Sequence, residues 1–227
     1  MELIPNLHLI PGVRGANAYL LVEREPTLVD AGMMGQAETI LAYIEGLGLD
    51  ADDLAHIVVT HNHLDHVGSL ADLRLRTGAQ VVAHRAEAPY ISGKEAMPSP
   101  PGVLMRLLER LPLLPRAETA AVDVTVQDGD HLDLLGGATV VHVPGHTPGS
   151  IALHLPSEGV LICGDAIDHR RGKLGPPPKG FTLDMDQATG SVRRMAELDF
   201  ELLCPGHGAP IRDGAARELR AVIETWI

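Results

Sequence analysis

Apolar residues fall along this chain in short runs with two different periods, and those periods predict the elements. Residues 7–10, 16–22 and 27–29 are strand-like runs separated by Pro11-Gly12 and Glu25-Pro26 breaks. From Ala37 the spacing turns helical: Ala37, Ile40, Leu41, Ile44 and Leu47 recur on one face, and Gly48 follows as a stop. Residues 56–60 (HIVVT) predict a short buried strand, 67–76 a helix ended by Gly78, and 79–83 another strand. The stretch 87–117 differs, with a Pro-rich turn at 98–102 and an apolar helix-like run over 103–111 broken by Pro112. Strands resume at 122–126, 132–135, 139–143, 151–155 and 160–163. A Gly/Pro-rich loop over 172–180 precedes a helix over 187–198, a last strand over 200–204 and a last helix over 215–226.

No solenoid-type repeat or low-complexity tract interrupts this order. Two sheets packed face to face, with helices outside, would bury such material. The 227 residues suit one large domain, 1–227, with a helical insertion at about 87–117. Aromatic residues make up only 3%, so Leu, Val, Ile and Ala must fill the core. The net charge of −12, from 18 Lys plus Arg against 30 Asp plus Glu, repels polyanions and argues against nucleic acid as a partner. Cys163 and Cys204 sit in apolar runs and read as buried thiols rather than a disulfide framework. The first residues lack the basic and apolar regions of a signal peptide, and no apolar run reaches the ~18 residues of a membrane helix. A cytoplasmic protein with no membrane partner is expected.

Histidine changes the picture, with twelve in the chain. Four potential metal ligands, His61, His63, Asp65 and His66, stand in the run THNHLDH directly after the 56–60 strand. Neutral imidazole and carboxylate are the donors that zinc and similar ions select. His146 (VPGHTPG), Asp165 (CGD) and His207 (CPGHG) repeat the same grammar: a polar ligand type after an apolar run, with a glycine beside it for a tight turn. Any one alone reads as a capping or turn residue. Seven at four strand ends predict a metal centre.

THNHLDH with a downstream His, a Gly-Asp and a Pro-Gly-His resembles the metallo-β-lactamase superfamily, from Asn17-Ala18-Tyr19 and Leu28-Val29-Asp30-Ala31-Gly32 through to His207. The resemblance implies an α+β fold, a four-layer αββα sandwich with metals at one edge. It implies that His61, His63 and His146 bind one ion, that Asp65, His66 and His207 bind the other, and that Asp165 bridges them. The implied cofactor is a pair of divalent ions, zinc first, with iron or manganese as alternatives. Such a pair would supply a hydroxide, with Asp65 as the catalytic residue that orients the water or passes a proton. Asp30 reads either as outer support for the ligand loop or as a strand-end turn residue.

Zinc β-lactamases usually carry a cysteine where Asp165 stands and lack the His66 pairing with Asp65, so antibiotic hydrolysis is not expected. The seven-ligand set is similar to that of glyoxalase II and lactonases. Against glyoxalase II, only twenty residues follow His207, enough for one helix. Against acyl-homoserine lactonases, Asp168 stands where they place a tyrosine. The expected function is cleavage of a small ester, thioester or lactone, with an anionic substrate suggested by Arg170, Arg171, Lys173 and Lys179. A mononuclear-iron persulfide dioxygenase and a phosphodiesterase are the alternatives, the latter opposed by the acidic charge. The apolar face of 103–111 reads as core packing, a homodimer contact or a substrate cap.

Overall fold

A computed structural model gives the architecture, and it describes residues 1–99 and 116–226. Two sheets account for the strands. The first runs in the order β1 (Glu2–Ile4), β2 (Leu7–Leu9), β3 (Tyr19–Leu21), β4 (Thr27–Val29), β5 (His56–Val59), β6 (Gln80–His84), β7 (Val124–Val126). Its first four strands pair antiparallel and β4 to β7 pair parallel. The second contains β8 (His131–Leu132), β9 (Ala138–His142), β10 (Ile151–Leu155), β11 (Val160–Gly164) and β12 (Leu202–Pro205), in the order β12-β11-β10-β9-β8. There β9, β10 and β11 alternate in direction, and β12 lies parallel to β11.

Strand alternation decides which side chains meet. Tyr19, Leu21, Val29, Val58 and Val82 of the first sheet face Val140, Ile151, Leu153, Val160 and Ile162 of the second, forming the middle core. The opposite face of the first sheet (Leu20, Leu28, Ile57, Val59, Val81) takes Ile40, Leu41 and Ile44 of α1 (Ala37–Gly46) and Leu73 of α3 (Leu70–Thr77). The outer face of the second sheet takes Val192 and Met195 of α5 (Met185–Ala196) and Leu219 and Ile223 of α6 (Ala215–Ile223). The α5 helix begins where the Asp184 side chain accepts the Gln187 N–H, an N-cap that satisfies an otherwise unpaired amide. Three apolar layers between four structural layers make the α+β, αββα sandwich.

The predicted helix over 67–76 is two helices. One turn, α2 (Leu64–Val67), begins inside the histidine run, and α3 starts at Leu70. Between them Gly68 lies against the backbone of Met33 and Met34, where a Cβ would collide, and donates its N–H to Gly32 O at 2.9 Å. Ser69 Oγ bonds Met33 O (2.6 Å) and accepts Gln36 N–H (2.7 Å), so the loop after β4 is packed into the break. The predicted strand over 132–135 stops at Leu132, because Leu135 has φ +43° and ends the pairing. Strand β1 was not predicted. In the stretch 87–117 the structure describes one short helix, α4 (Ala88–Ile91); the apolar face of 103–111 lies outside the described residues. Among the described residues no helix is long and apolar enough to cross a membrane.

Candidate metal centre

Strand direction brings the candidate residues to one edge. Since β9 and β11 run the same way and β12 is parallel to β11, their C-terminal ends lie together, followed by His146, Asp165 and His207. The β5 end joins the same edge, where Ile151 donates its N–H to Thr60 O at 3.0 Å. His61 and His63 follow β5, His63 in extended backbone, and Asp65 and His66 stand on α2, one turn of helix rather than loop. All seven predicted residues converge.

They form three overlapping groups whose donor atoms lie within 4.8 Å of one another: His61, His63, His146; His61, His66, Asp165; and Asp65, His66, His207. His63 Nδ1 sits 3.1 Å from His61 Nε2 and 3.0 Å from His146 Nε2. His207 Nε2 is 3.1 Å from Asp65 Oδ2. Asp165 stands between: its Oδ2 is 3.7 Å from His146 Nε2, while its Oδ1 is 3.3 Å from His66 Nε2 and 3.4 Å from His207 Nε2.

The outward nitrogens are fixed by partners that set the tautomers. Thr60 Oγ1 donates to Asp30 Oδ2 (2.7 Å), so toward His61 Nδ1 (3.1 Å) it acts as acceptor. Thr182 Oγ1 donates to Pro178 O (2.9 Å) and accepts from His146 Nδ1 (3.1 Å) in the same way. His66 Nδ1 donates to Asp30 Oδ2 at 2.7 Å. Each proton held outward leaves an Nε2 lone pair aimed inward, the arrangement of metal-ligating histidines. His66 Nε2, Asp165 Oδ1 and His207 Nε2 are buried without a hydrogen-bond partner, which is costly unless a cation satisfies them. The donor set fits a divalent metal ion.

Electrostatics divides the imidazoles into two sets. Burial pushes His61 well below its ordinary value, His63 to about 4 and His146 to about 3, so these rings are neutral and available at neutral pH. Burial acts downward on His66 and His207 too, but Asp30 and Asp165 outweigh it for His66, and Asp165 and Asp65 for His207, and both are raised. Burial alone would raise Asp65, yet the His207 contact leads the influences that bring it to about 2. Asp165 is held well below the carboxylate range because His66 and His207 overcome its burial.

Asp30 stands at a turn just past β4 (φ +62°), and its carboxylate also accepts Thr60 N–H at 2.8 Å, tying the ends of β4 and β5 together under His61 and His66. Asn17 and Tyr19 hold the His207 loop, Asn17 Nδ2 donating to Pro205 O (2.9 Å) and Gly208 O (2.8 Å), and Tyr19 Oη to Pro205 O (2.7 Å). Gly206 allows Asp165 and His66 to approach, since a Cβ there would overlap Asp165 Oδ1. Sequence reasoning missed Thr60, Thr182 and Glu87. These are common residue types at strand ends or in loops, and the one available signal was Glu87, a charged residue three positions after the apolar β6.

Beside the centre the described residues line an open cavity of about 1070 Å³. Its floor includes His63, Asp65, Asp165 and His207, and its walls include Tyr90, Ile91, Met97 and Phe181. Of the four predicted cations, Arg170 lines it, its guanidinium 3.3 Å from Asp165 Oδ2 and 3.5 Å from Asp168 Oδ1. Arg171, Lys173 and Lys179 are exposed and do not line it.

A sandwich of two sheets flanked by helices, with a His/Asp cluster at the strand ends, defines a class of metal-dependent hydrolases. The sequence profile of the metallo-β-lactamase superfamily matches residues 11–207, and the chain belongs to that superfamily. It is 32% identical to the probable metallo-hydrolase YflN of Bacillus subtilis (strain 168), over 88% of this chain and 83% of the relative. It is 31% identical to the hydroxyacylglutathione hydrolase of Ectopseudomonas mendocina (strain ymp), over 78% of this chain and 54% of that enzyme. Among solved structures, a metallo-beta-lactamase family protein from Thermus thermophilus, TTHA1429, superposes with a TM-score of 0.76 at 25% identity, covering 99% of this chain and 80% of that one. BJP-1, a subclass B3 metallo-beta-lactamase of Bradyrhizobium japonicum, shares the fold with a TM-score of 0.72 at 23% identity, covering 99% and 90%.

Proposed function

We propose that this chain is a binuclear metal-dependent hydrolase that cleaves a small ester, thioester or lactone. The observation that carries the reading is the placement of Asp165, one carboxylate oxygen toward the His61–His63–His146 group and the other toward His66 and His207. In this reading His61, His63 and His146 would hold one ion, Asp65, His66 and His207 would hold a second, and Asp165 would serve both. Two divalent ions, zinc by preference, would supply a hydroxide nucleophile at neutral pH and polarise the scissile carbonyl.

The chain's own residues do the rest. Asp65, ionised because its carboxyl is held near 2, faces the cavity and can accept and relay a proton toward the leaving group. Asp30, Thr60 and Thr182 hold three imidazoles in the tautomer that leaves Nε2 free. Tyr90, Ile91, Met97 and Phe181 offer apolar contact to the acyl part of a substrate, and Arg116 and Arg170, the latter paired with Asp165 and Asp168, bring positive charge to the lining for an anionic group. Likeness to hydroxyacylglutathione hydrolases supports a thioester, although this chain spans 54% of such an enzyme.

A panel of small esters, thioesters and lactones, offered to the fully metallated protein, tests the reading. Turnover of at least one, abolished by a chelator and restored by zinc, is expected. No metal-dependent turnover of any member would sink it.

A further inference from the structure

Glu87 lies outside the seven donor residues and is fully buried beyond the end of β6. A carboxylate in that position is expensive unless its oxygens are bonded. Burial raises its pKa, and the Thr147 side chain and two backbone amides offset part of that rise. The two amides are what matter. Oε2 accepts the N–H of Asn62 at 2.8 Å, and Oε1 accepts the N–H of Gly149 at 2.7 Å. Asn62 is the residue between His61 and His63, and Gly149 lies three residues beyond His146. One rigid carboxylate therefore joins the two loops whose histidines converge on His63 Nδ1 with gaps of 3.1 and 3.0 Å.

The far loop is shaped for this contact. A Cβ on Gly149 would lie 2.8 Å from Glu87 Cγ and from its backbone N, and 2.9 Å from His84 Nδ1. His84 stacks on His142 with ring centroids 4.1 Å apart, and His142 Nε2 donates to Pro148 O at 2.9 Å. Glu87 and His84 thus meet the 143–149 loop at Gly149, while His142, stacked on His84, holds it at Pro148.

We propose that Glu87 is a positioning residue for the His61–His63–His146 group, its carboxylate setting the distance between the loop of His61 and His63 and the loop of His146. The inference rests on the metal-binding reading above. Glutamine at this position keeps the shape but presents one acceptor oxygen and one NH₂, so one of the two amides would face a donor instead of an acceptor.

The test is Co²⁺ titration of the metal-free full chain, wild type against Glu87→Gln, reading affinity by competition with a chromophoric chelator and geometry by the visible absorption of bound Co²⁺. The expected result is an affinity about ten- to a hundredfold weaker in Glu87→Gln, with altered absorption bands. Wild-type affinity and spectrum in Glu87→Gln would overturn the proposal, even if the variant melts at a lower temperature, because that is the behaviour of a residue of the fold alone. If Glu87→Gln cannot be purified folded, Glu87→Asp, whose shorter arm reaches one amide, is titrated instead; weaker binding supports the proposal and wild-type binding overturns it. Failure of both to fold also overturns it. Wild-type protein that binds no Co²⁺ would refute the metal reading itself, a result distinct from wild-type protein that binds and a variant that binds equally well.

Discussion

Individual residues carry the chemistry through pairs in which an inner donor is fixed by an outer partner. Asp30 is the most connected of the outer partners, holding Thr60 N–H, Thr60 Oγ1 and His66 Nδ1. Asp30→Asn is expected to weaken zinc binding about ten- to a hundredfold, measured by chelator competition, because the amide NH₂ confronts at least one of those donors. Unchanged affinity would make Asp30 a turn residue. Protons compete with metal for imidazole lone pairs, and His66 and His207 hold theirs more tightly than free histidine while His63 and His146 hold theirs less. Zinc affinity should therefore still be rising with pH above the ordinary histidine value of about 6.5, with protons released on binding. A pH-independent affinity above that value would contradict it. The seven clustered residues were legible because ligand chemistry is written in residue type and a glycine or a strand end marked each position. Glu87, Thr60 and Thr182 were not, since their roles depend on which backbone or ring lies opposite them in space. Asp30 was left between two readings for the same reason.

At the scale of elements, burial patterns fixed most of the sandwich. The runs over 27–29 and 151–155 predict β4 and β10 with their observed bounds, since both strands lie between two packed layers and every residue in them but His154 is buried. Strand β1 escaped because three residues before the Asn6 turn (φ +67°) carry too little pattern to register. The break between α2 and α3 escaped because its cause, the loop after β4 packed against Gly68, is distant in sequence. Leu153 on β10 is wholly buried between the sheets, so Leu153→Ala should cost about 2–5 kcal/mol in urea unfolding of the metal-free protein. A cost under about 1 kcal/mol would mean the two sheets are not closely packed there. The link from α3 to β7 is electrostatic: Arg74 bonds Asp123, which also accepts Val81 N–H at 2.8 Å. The Arg74 bond is the leading cause that holds Asp123 below 3.8. A lowered carboxylate stabilises the fold above its unfolded value and loses that contribution as pH falls through its folded value. The stability advantage of wild type over Asp123→Asn should accordingly be present at neutral pH and vanish in acid below the carboxylate range. An advantage that persists there would exclude the ion pair as its source.

Across the whole molecule, topology does what no single segment does. Four strand ends far apart in the chain meet at one edge because β9, β11 and β12 share a direction and the β5 end joins them. The sandwich was foreseeable from alternating strand and helix patterns, and the superfamily from THNHLDH and its companions. The cavity and the placement of Arg170 beside Asp165, with its three predicted companions away from the site, required coordinates. In the reading proposed, two ions held across Asp165 would make this chain a hydrolase. The most direct measurement is stoichiometric zinc titration of the metal-free protein while following hydrolysis of a thioester or ester substrate it turns over. Activity should rise to a plateau at two ions per chain. A plateau at one ion, or no activity at any zinc level, would contradict it.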